Sequence, residues 1–174
     1  MLRLELCVLA ADEIRERIKD GLISDYIDLE TQLQPNGFDC TLRSIKMLKS
    51  AGKVDFSNEE RIISETEELK FEDWIHLPQG VYKAVLNEIL RLGNDLIAIA
   101  KPRSTLLRCG VSVETAVWDA GYEGRSEVLI VVHNPEGIWL KKNARIIQLI
   151  FLKLCSKTRG YAGIYKFENV AENL

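Results

Sequence analysis

From residue 35 onward, short apolar segments rich in Val, Ile and Leu alternate with turn signals: Pro35-Asn36-Gly37, Ala51-Gly52-Lys53, Leu77-Pro78-Gln79-Gly80, Leu92-Gly93-Asn94-Asp95, Asp119-Ala120-Gly121 and Asn134-Pro135-Glu136-Gly137. Recurrence every ~10–20 residues leaves no room for long helices and predicts a mainly β fold, a sandwich or a barrel. The strongest strands span residues 128–133 and 146–152. Their continuous apolar character predicts burial on both faces, at the centre of the fold or of an oligomer. One stretch before the first turn behaves differently. Ile14, Ile18 and Leu22 recur at i, i+4 and i+8 among charged residues, which predicts a short N-terminal helix of about ten residues, capped near Asp12 and ended by Gly21.

The chain has 174 residues, 47% of them hydrophobic and 28% charged. That length predicts one domain, residues 1–174, or one with a small appendage, able to bury close to ~70% of its unfolded surface. Residues 57–73 carry Glu59, Glu60, Glu65, Glu67, Glu68, Glu72 and Asp73 and read as a solvated, loosely ordered acidic excursion, with a second helix as the alternative. The net charge of −3 argues against a surface built for nucleic acid, though a local basic pocket for a phosphate-bearing small molecule is compatible with it. Cys7, Cys40, Cys109 and Cys155 are widely spaced, with no CxxC, and His76 and His133 are the only histidines, so the spacing of a zinc site is missing. The HxE and PCxxC motifs of zinc deaminases are missing too. Leu2-Arg3-Leu4-Glu5 is charged at once, unlike a signal peptide, and no apolar run approaches ~20 residues. The expectation is a cytoplasmic protein with reduced thiols that does not engage membranes.

Two segments can carry chemistry. In Lys101-Pro102-Arg103-Ser104-Thr105-Leu106-Leu107-Arg108, Pro102 breaks a strand, and a following turn of helix would put Ser104 and Arg108 on one face. Hydroxyls and arginines converging there suit phosphate oxygens; equally, they suit a helix cap and a surface arginine. In Trp118-Asp119-Ala120-Gly121-Tyr122-Glu123-Gly124, an Asp enters a Gly-rich turn. It is either a structural Asx-type turn or a carboxylate ready to orient a water.

These segments resemble the dCTP deaminase and dUTP diphosphatase superfamily over nearly the whole chain. Gln34-Pro35-Asn36-Gly37-Phe38-Asp39 is similar to its QPxxxD element, and Leu77-Pro78-Gln79-Gly80-Val81-Tyr82 with Glu88 to its LxPGxY…E hairpin. Residues 102–108 resemble its RSSLxR motif and residues 118–124 its IDxGYxG turn. Ala144-Arg145-Ile146-Ile147-Gln148-Leu149-Ile150-Phe151 resembles its GxRIxQLxF strand, and Tyr161-Ala162-Gly163-Ile164-Tyr165 its late YxGxY element. Each motif alone is weak; six in order are specific. The resemblance implies a distorted jelly-roll barrel and a homotrimer. It implies that Arg103, Ser104, Thr105 and Arg108 hold a triphosphate and that Asp119 sits beside the sugar and the attacking water. The backbone of Glu127, Val128 and Leu129 would meet the pyrimidine edge. Gln148, Tyr161 and Lys166 would close the site, some from a neighbouring subunit, although the family often has Gln where Lys166 stands. A polar tail over residues 166–174 closing on the nucleotide is a further expectation.

The superfamily divides on one residue. Deaminating members resemble one another in a glutamate ten residues after the turn Asp, which shuttles protons as water replaces the 4-amino group. Here that position is Leu129, or Val131 if two residues are inserted, and neither transfers a proton. Glu127 shares the strand face of Leu129 but lies ~6.5 Å away. Diphosphatase chemistry asks instead for a positioned water, a carboxylate and Mg²⁺ bound mainly through the substrate phosphates, with no residue assigned as a metal ligand. The wording of the motifs is most similar to the archaeal dUTP diphosphatase branch. The expected reaction is therefore dUTP + H₂O → dUMP + pyrophosphate, with Asp119 catalytic and Glu127 the second carboxylate of interest. Uracil would be chosen over cytosine by N–H donors at a strand edge, and ribose excluded by Tyr122 or Trp118. The alternatives are a dCTP deaminase, mono- or bifunctional, using Glu127, and a catalytically silent nucleotide-binding trimer.

Overall fold

The chain alternates short turns with antiparallel strands, as a computed structural model shows for residues 7–170. Helix α1 (Ala11–Lys19) comes first, then β1 (Ile23–Ser24), α2 (Leu29–Gln32), β2 (Leu33–Gln34), β3 (Gly37–Leu48), β4 (Thr66–Leu69), β5 (Trp74–Leu77) and β6 (Gly80–Arg91). Then follow β7 (Leu96–Pro102), α3 (Ser104–Arg108), β8 (Val111–Glu114), β9 (Glu123–Val132), β10 (Ile138–Lys141) and β11 (Arg145–Lys153). The main sheet runs β7-β11-β3-β6-β9-β8, with β1 on β6 and both β2 and β4 on β3, while β10 and β5 form a small second sheet. Trp118 and Ala98 exchange backbone hydrogen bonds of 3.0 Å each. That bridge ties the segment after β8 to β7 and nearly closes the sheet into the distorted jelly-roll barrel of a mainly β protein.

Helix α1 packs Ile14 and Ile18 into the core. Its start lies two residues before the expected Asp12: Ala10 is the N-cap, and the Glu13 carboxylate accepts the Ala10 N–H at 3.0 Å. Asp12 lies within the first turn, where a negative charge suits the helix dipole. The other end is as expected. Gly21 has φ +91, its N–H donates to Ile18 O, and Leu22 N–H donates to Arg17 O, the paired bonds of a Schellman cap.

The strands at 128–133 and 146–152 are present as β9 and β11, and within the single chain each is fully buried on one face only, so the centre of the fold does not cover both faces. Val128, Ile130 and Val132 are buried, whereas Glu127, Leu129 and Val131 are half-buried. Likewise Ile147, Leu149 and Phe151 are buried and Gln148, Ile150 and Leu152 half-buried. Each strand therefore turns one face to the core and leaves the other partly open in the single chain. The acidic run is not loose throughout either. Residues 66–69 pair with β3 in register from Leu48↔Thr66 to Ile45↔Leu69, and no second helix forms among residues 57–73.

Buried polar groups tie the layers together. Glu88, 1% exposed on β6, accepts from Thr41 N–H (2.9 Å), the Thr41 hydroxyl (2.6 Å) and Gln32 Nε2 (2.7 Å). Burial raises its carboxyl above the ordinary range, and those three donors pull against the rise. All four cysteines are free thiols. Among the described residues no helix is long and apolar enough to cross a membrane. The charged start at Leu2-Arg3-Leu4-Glu5 and the last residues of the expected tail, 171–174, lie outside the described residues.

Candidate active site

Strand β8 stops at the pair Glu114↔Leu129. The chain then leaves the sheet through Thr115, Ala116 and Val117, so the β9 edge at Val128 and before loses its strand partner on that side. The gap is a cavity of about 640 Å³, walled by residues 114–119, by Ser126, Glu127, Val128 and Leu129, and by Ile63, Lys83, Tyr122, Tyr161, Tyr165 and Glu168.

The turn after Trp118 positions one wall. Tyr122 N–H donates to Asp119 O at 3.1 Å, and Gly121 sits at φ +80. A Cβ on Gly121 would lie 2.8 Å from Gly160 Cα and 2.9 Å from Tyr161 N, so the turn and the C-terminal segment touch backbone to backbone. That segment is fastened by Tyr161 N–H to Ala120 O (2.6 Å), Phe167 N–H to Glu123 O (2.6 Å) and Arg125 N–H to Glu168 O (3.0 Å). Arg125, 1% exposed, also pairs with Asp25 at 2.6 Å and binds Asn169 O through Nε. Asp119 itself is exposed at the cavity wall and follows a single bridge at Trp118 rather than a full strand.

A chain of hydrogen bonds lines the cavity beside it. Trp118 Nε1–H donates to Ser126 Oγ (2.6 Å), and Tyr122 Oη–H donates to Glu168 Oε1 (2.7 Å). The Ser126 proton is thereby left for Tyr122 Oη, 2.9 Å away. Burial pushes the Tyr122 phenol up, so it stays a donor, and burial raises Glu168 against the bond from Tyr122. Trp118 and Tyr122 are 5% and 6% exposed, sharing roles in core and wall.

Glu127 is held in another way. Its two carboxylate oxygens take one lysine each, Lys46 at 3.0 Å and Lys83 at 2.8 Å. Burial pushes this carboxyl up, but the bonds and charges of Lys83 and Lys46 outweigh it and hold Glu127 below its ordinary range. Two lysines directly opposite on neighbouring strands would repel, and the Glu127 carboxylate between them is what allows the pair.

Of the residues singled out from the sequence, Asp119, Glu127, Val128, Leu129 and Tyr161 meet at this cavity. Lys166 does not line it; its ammonium lies over the Phe167 ring and 3.4 Å from Tyr161 O. The remainder form a second group. Arg103 caps α3 and is pinned by its N–H to Ile146 O (3.0 Å), while Ser104, Thr105 and Arg108 are exposed around buried Leu106. Arg108 donates to Ser104 O at 3.1 Å. Asp39, its side chain 1% exposed, pairs with Arg103 (3.0 Å) and Arg145 (3.2 Å), and Gln148 stands opposite it in register. None of Arg103, Ser104, Thr105, Arg108 and Gln148 lines the cavity of Asp119. Lys46, Lys83 and Glu168 were not marked individually by the sequence: they lie far from Glu127 in the chain, and strand register brings in the two lysines while Glu168 arrives through its bonds with Tyr122 and Arg125.

The family described as dCTP deaminase-like matches residues 8–154. A protein of Archaeoglobus fulgidus named probable deoxyuridine 5'-triphosphate nucleotidohydrolase is 66% identical over 166 residues, 95% of this chain and 99% of its own length. One of the same name from Methanosarcina mazei is 51% identical, covering 94% of this chain and 99% of its own. The deoxyuridine 5'-triphosphate nucleotidohydrolase of Methanocaldococcus jannaschii is 38% identical over 79% of this chain and 88% of its own. The crystal structure of a 2'-deoxycytidine 5'-triphosphate deaminase from Agrobacterium tumefaciens superposes with a TM-score of 0.66 at 23% identity, over 86% of this chain and 48% of that one, a likeness of fold. With the family match spanning most of the chain and relatives aligned over nearly their full length, this chain belongs to the dCTP deaminase-like family.

Proposed function

We propose that the protein hydrolyses dUTP to dUMP and pyrophosphate, with water attacking the α-phosphorus, and that it works as a homotrimer. The observation that carries this reading is the pairing of Glu127 with Lys46 and Lys83. Deamination needs a carboxyl that alternates between protonated and charged forms beside the 4-position of the base. Leu129 is a hydrocarbon at the position the resemblance marks, and both oxygens of the nearby Glu127 are ion-paired, to Lys46 and Lys83, which hold its carboxyl below the ordinary range. Asp119, by contrast, is exposed and stands at the cavity wall. The names of the archaeal relatives favour the same substrate.

On this reading the base enters against the open β9 edge, where backbone groups of Glu127 and Val128 are free of β8. The sugar lies against Tyr122. Asp119 orients the water and takes its proton. Arg103, Ser104, Thr105 and Arg108 grip the phosphates, and Gln148 joins them. These residues lie away from the cavity of their own chain, which supports a site completed between subunits, with the half-buried faces of β9 and β11 available for that contact. Among the described residues no three His, Cys, Asp or Glu side chains gather as a metal cage. On this reading Mg²⁺ would arrive on the substrate's own triphosphate and would supply charge neutralisation there, with Arg103 and Arg108 as the cations of this chain beside it. Tyr161 and Lys166 would order around the bound nucleotide. The test is an assay of purified protein with dUTP and dCTP in Mg²⁺. Pyrophosphate from dUTP is the expected product; ammonia from dCTP would mean a deaminase, and neither would mean a silent nucleotide binder.

A further inference from the structure

Four strands bring one residue each into a single row. Lys46 on β3 stands opposite Lys83 on β6, Lys83 opposite Leu129 on β9, and Leu129 opposite Glu114 on β8. Directly opposed residues in antiparallel strands point to the same face. Lys83, Leu129 and Glu114 line the cavity. We propose that Lys83 reads the 4-position of the pyrimidine, donating to a 4-oxo group and rejecting a 4-amino group. The proposal rests on the cavity being the base site of the hydrolase.

Lys83 has its side chain only 18% exposed, and Glu127 is its one ion-pair partner among the described residues. Glu127 also serves Lys46, so its two oxygens are divided between two ammonium groups and Lys83 holds only one of them. Of the other carboxyls lining the cavity, Glu168 is engaged by Tyr122, and among the described residues neither it nor Glu114 or Asp119 is within ion-pair distance of Lys83. An ammonium has three N–H donors and no acceptor. After one bond to Glu127 it offers donors alone to whatever fills the cavity. The 4-oxo group of uracil or thymine accepts such a bond. The 4-amino group of cytosine presents hydrogens to it and leaves both groups unpaired in a half-buried site, which is how a polar pocket rejects a wrong partner most strongly. Lys83 therefore sorts uracil from cytosine but not uracil from thymine.

The test uses binding as well as turnover. In an Asp119→Asn background, which keeps nucleotide intact, calorimetric titration gives Kd values for dUTP, dCTP and dTTP with Lys83 present, with Lys83→Arg and with Lys83→Gln. Arginine keeps a donor-only cation and should hold the preference for dUTP over dCTP. Glutamine offers a carbonyl as well as an amide N–H. It should cut the dUTP to dCTP preference by ~10–100-fold, the range of a hydrogen bond to a charged group. The dUTP to dTTP ratio should stay within about twofold, and thermal melting should show the variants folded. An unchanged dUTP to dCTP ratio in folded Lys83→Gln overturns the assignment, as does equal loss for dUTP, dTTP and dCTP. Whether the wild type releases pyrophosphate from dUTP is a separate readout, and its failure sinks the functional reading while the binding ratios still judge Lys83.

Discussion

At the scale of single residues, two carboxylates that line one cavity decide what the site can do. Asp119 is exposed on a turn and Glu127 is bound between two lysines. Asp119→Asn keeps the shape and removes the base, so kcat for dUTP should fall by ~10²–10⁴ while nucleotide still binds, measured by steady-state kinetics and titration. Glu127→Gln should keep pyrophosphate release at a reduced rate. The same variant has a signature in stability. Glu127 in the fold is held below its ordinary value of 4.5. A lowered carboxyl stabilises the fold above its unfolded pKa, and this is lost as pH falls through the folded one. Denaturant titrations should therefore find wild type more stable than Glu127→Gln at neutral pH, with the gap closing below about pH 4.5. Asp119 was legible in the sequence because its turn has a local signature of Asp and Gly. The lysine clamp was not, because it depends on a register between strands far apart in the chain.

Among the elements, the turn that carries Asp119 and the C-terminal segment stand or fall together. Gly121→Ala meets both a positive φ and the backbone of residues 160–161. The left-handed conformation alone costs a non-Gly residue ~1–2 kcal/mol, and the close approach adds to it. Calorimetric melting should show a clear drop in Tm, and amide exchange should rise first at Tyr161 and Phe167, whose N–H groups bind this turn and its strand. Glu88→Ala should lower stability by ~2–4 kcal/mol, since it strands donors on Thr41 and Gln32 in a buried place. The turns and the main strands were readable because Gly, Pro and Asn punctuate them, and the Schellman end of α1 because Gly21 marks it. Strand β4 was hidden. Its residues Thr66–Leu69 are a polar edge whose pairing with β3 outweighs their charge. Continuous apolar runs in β9 and β11 suggested burial on both faces, but a hydrophobic residue on the second face needs a neighbour that the single chain does not supply.

For the whole molecule, the split between the cavity of Asp119 and the exposed arginine face of α3 is the structural reason to propose a site shared between subunits, and the number three comes from the family resemblance. Sedimentation should give three chains, and a fully active monomer would contradict that. Mixing gives a sharper version. Arg108→Ala alone should raise KM and lower kcat, on the scale of ~1.5–3 kcal/mol for a lost charge-assisted bond. Arg108→Ala and Asp119→Asn chains, unfolded and reassembled together, should recover activity that neither has alone, because some sites would then draw an intact residue from each. The central claim is hydrolysis of dUTP at the α-phosphorus, and one measurement addresses it most directly. The protein is incubated with dUTP and dCTP together in ¹⁸O-water with Mg²⁺, and the products are read by mass spectrometry. The account predicts dUMP carrying one heavy oxygen, unlabelled pyrophosphate and unchanged dCTP. Conversion of dCTP to a uracil nucleotide at a rate comparable to dUTP hydrolysis, or label in the pyrophosphate, would contradict it.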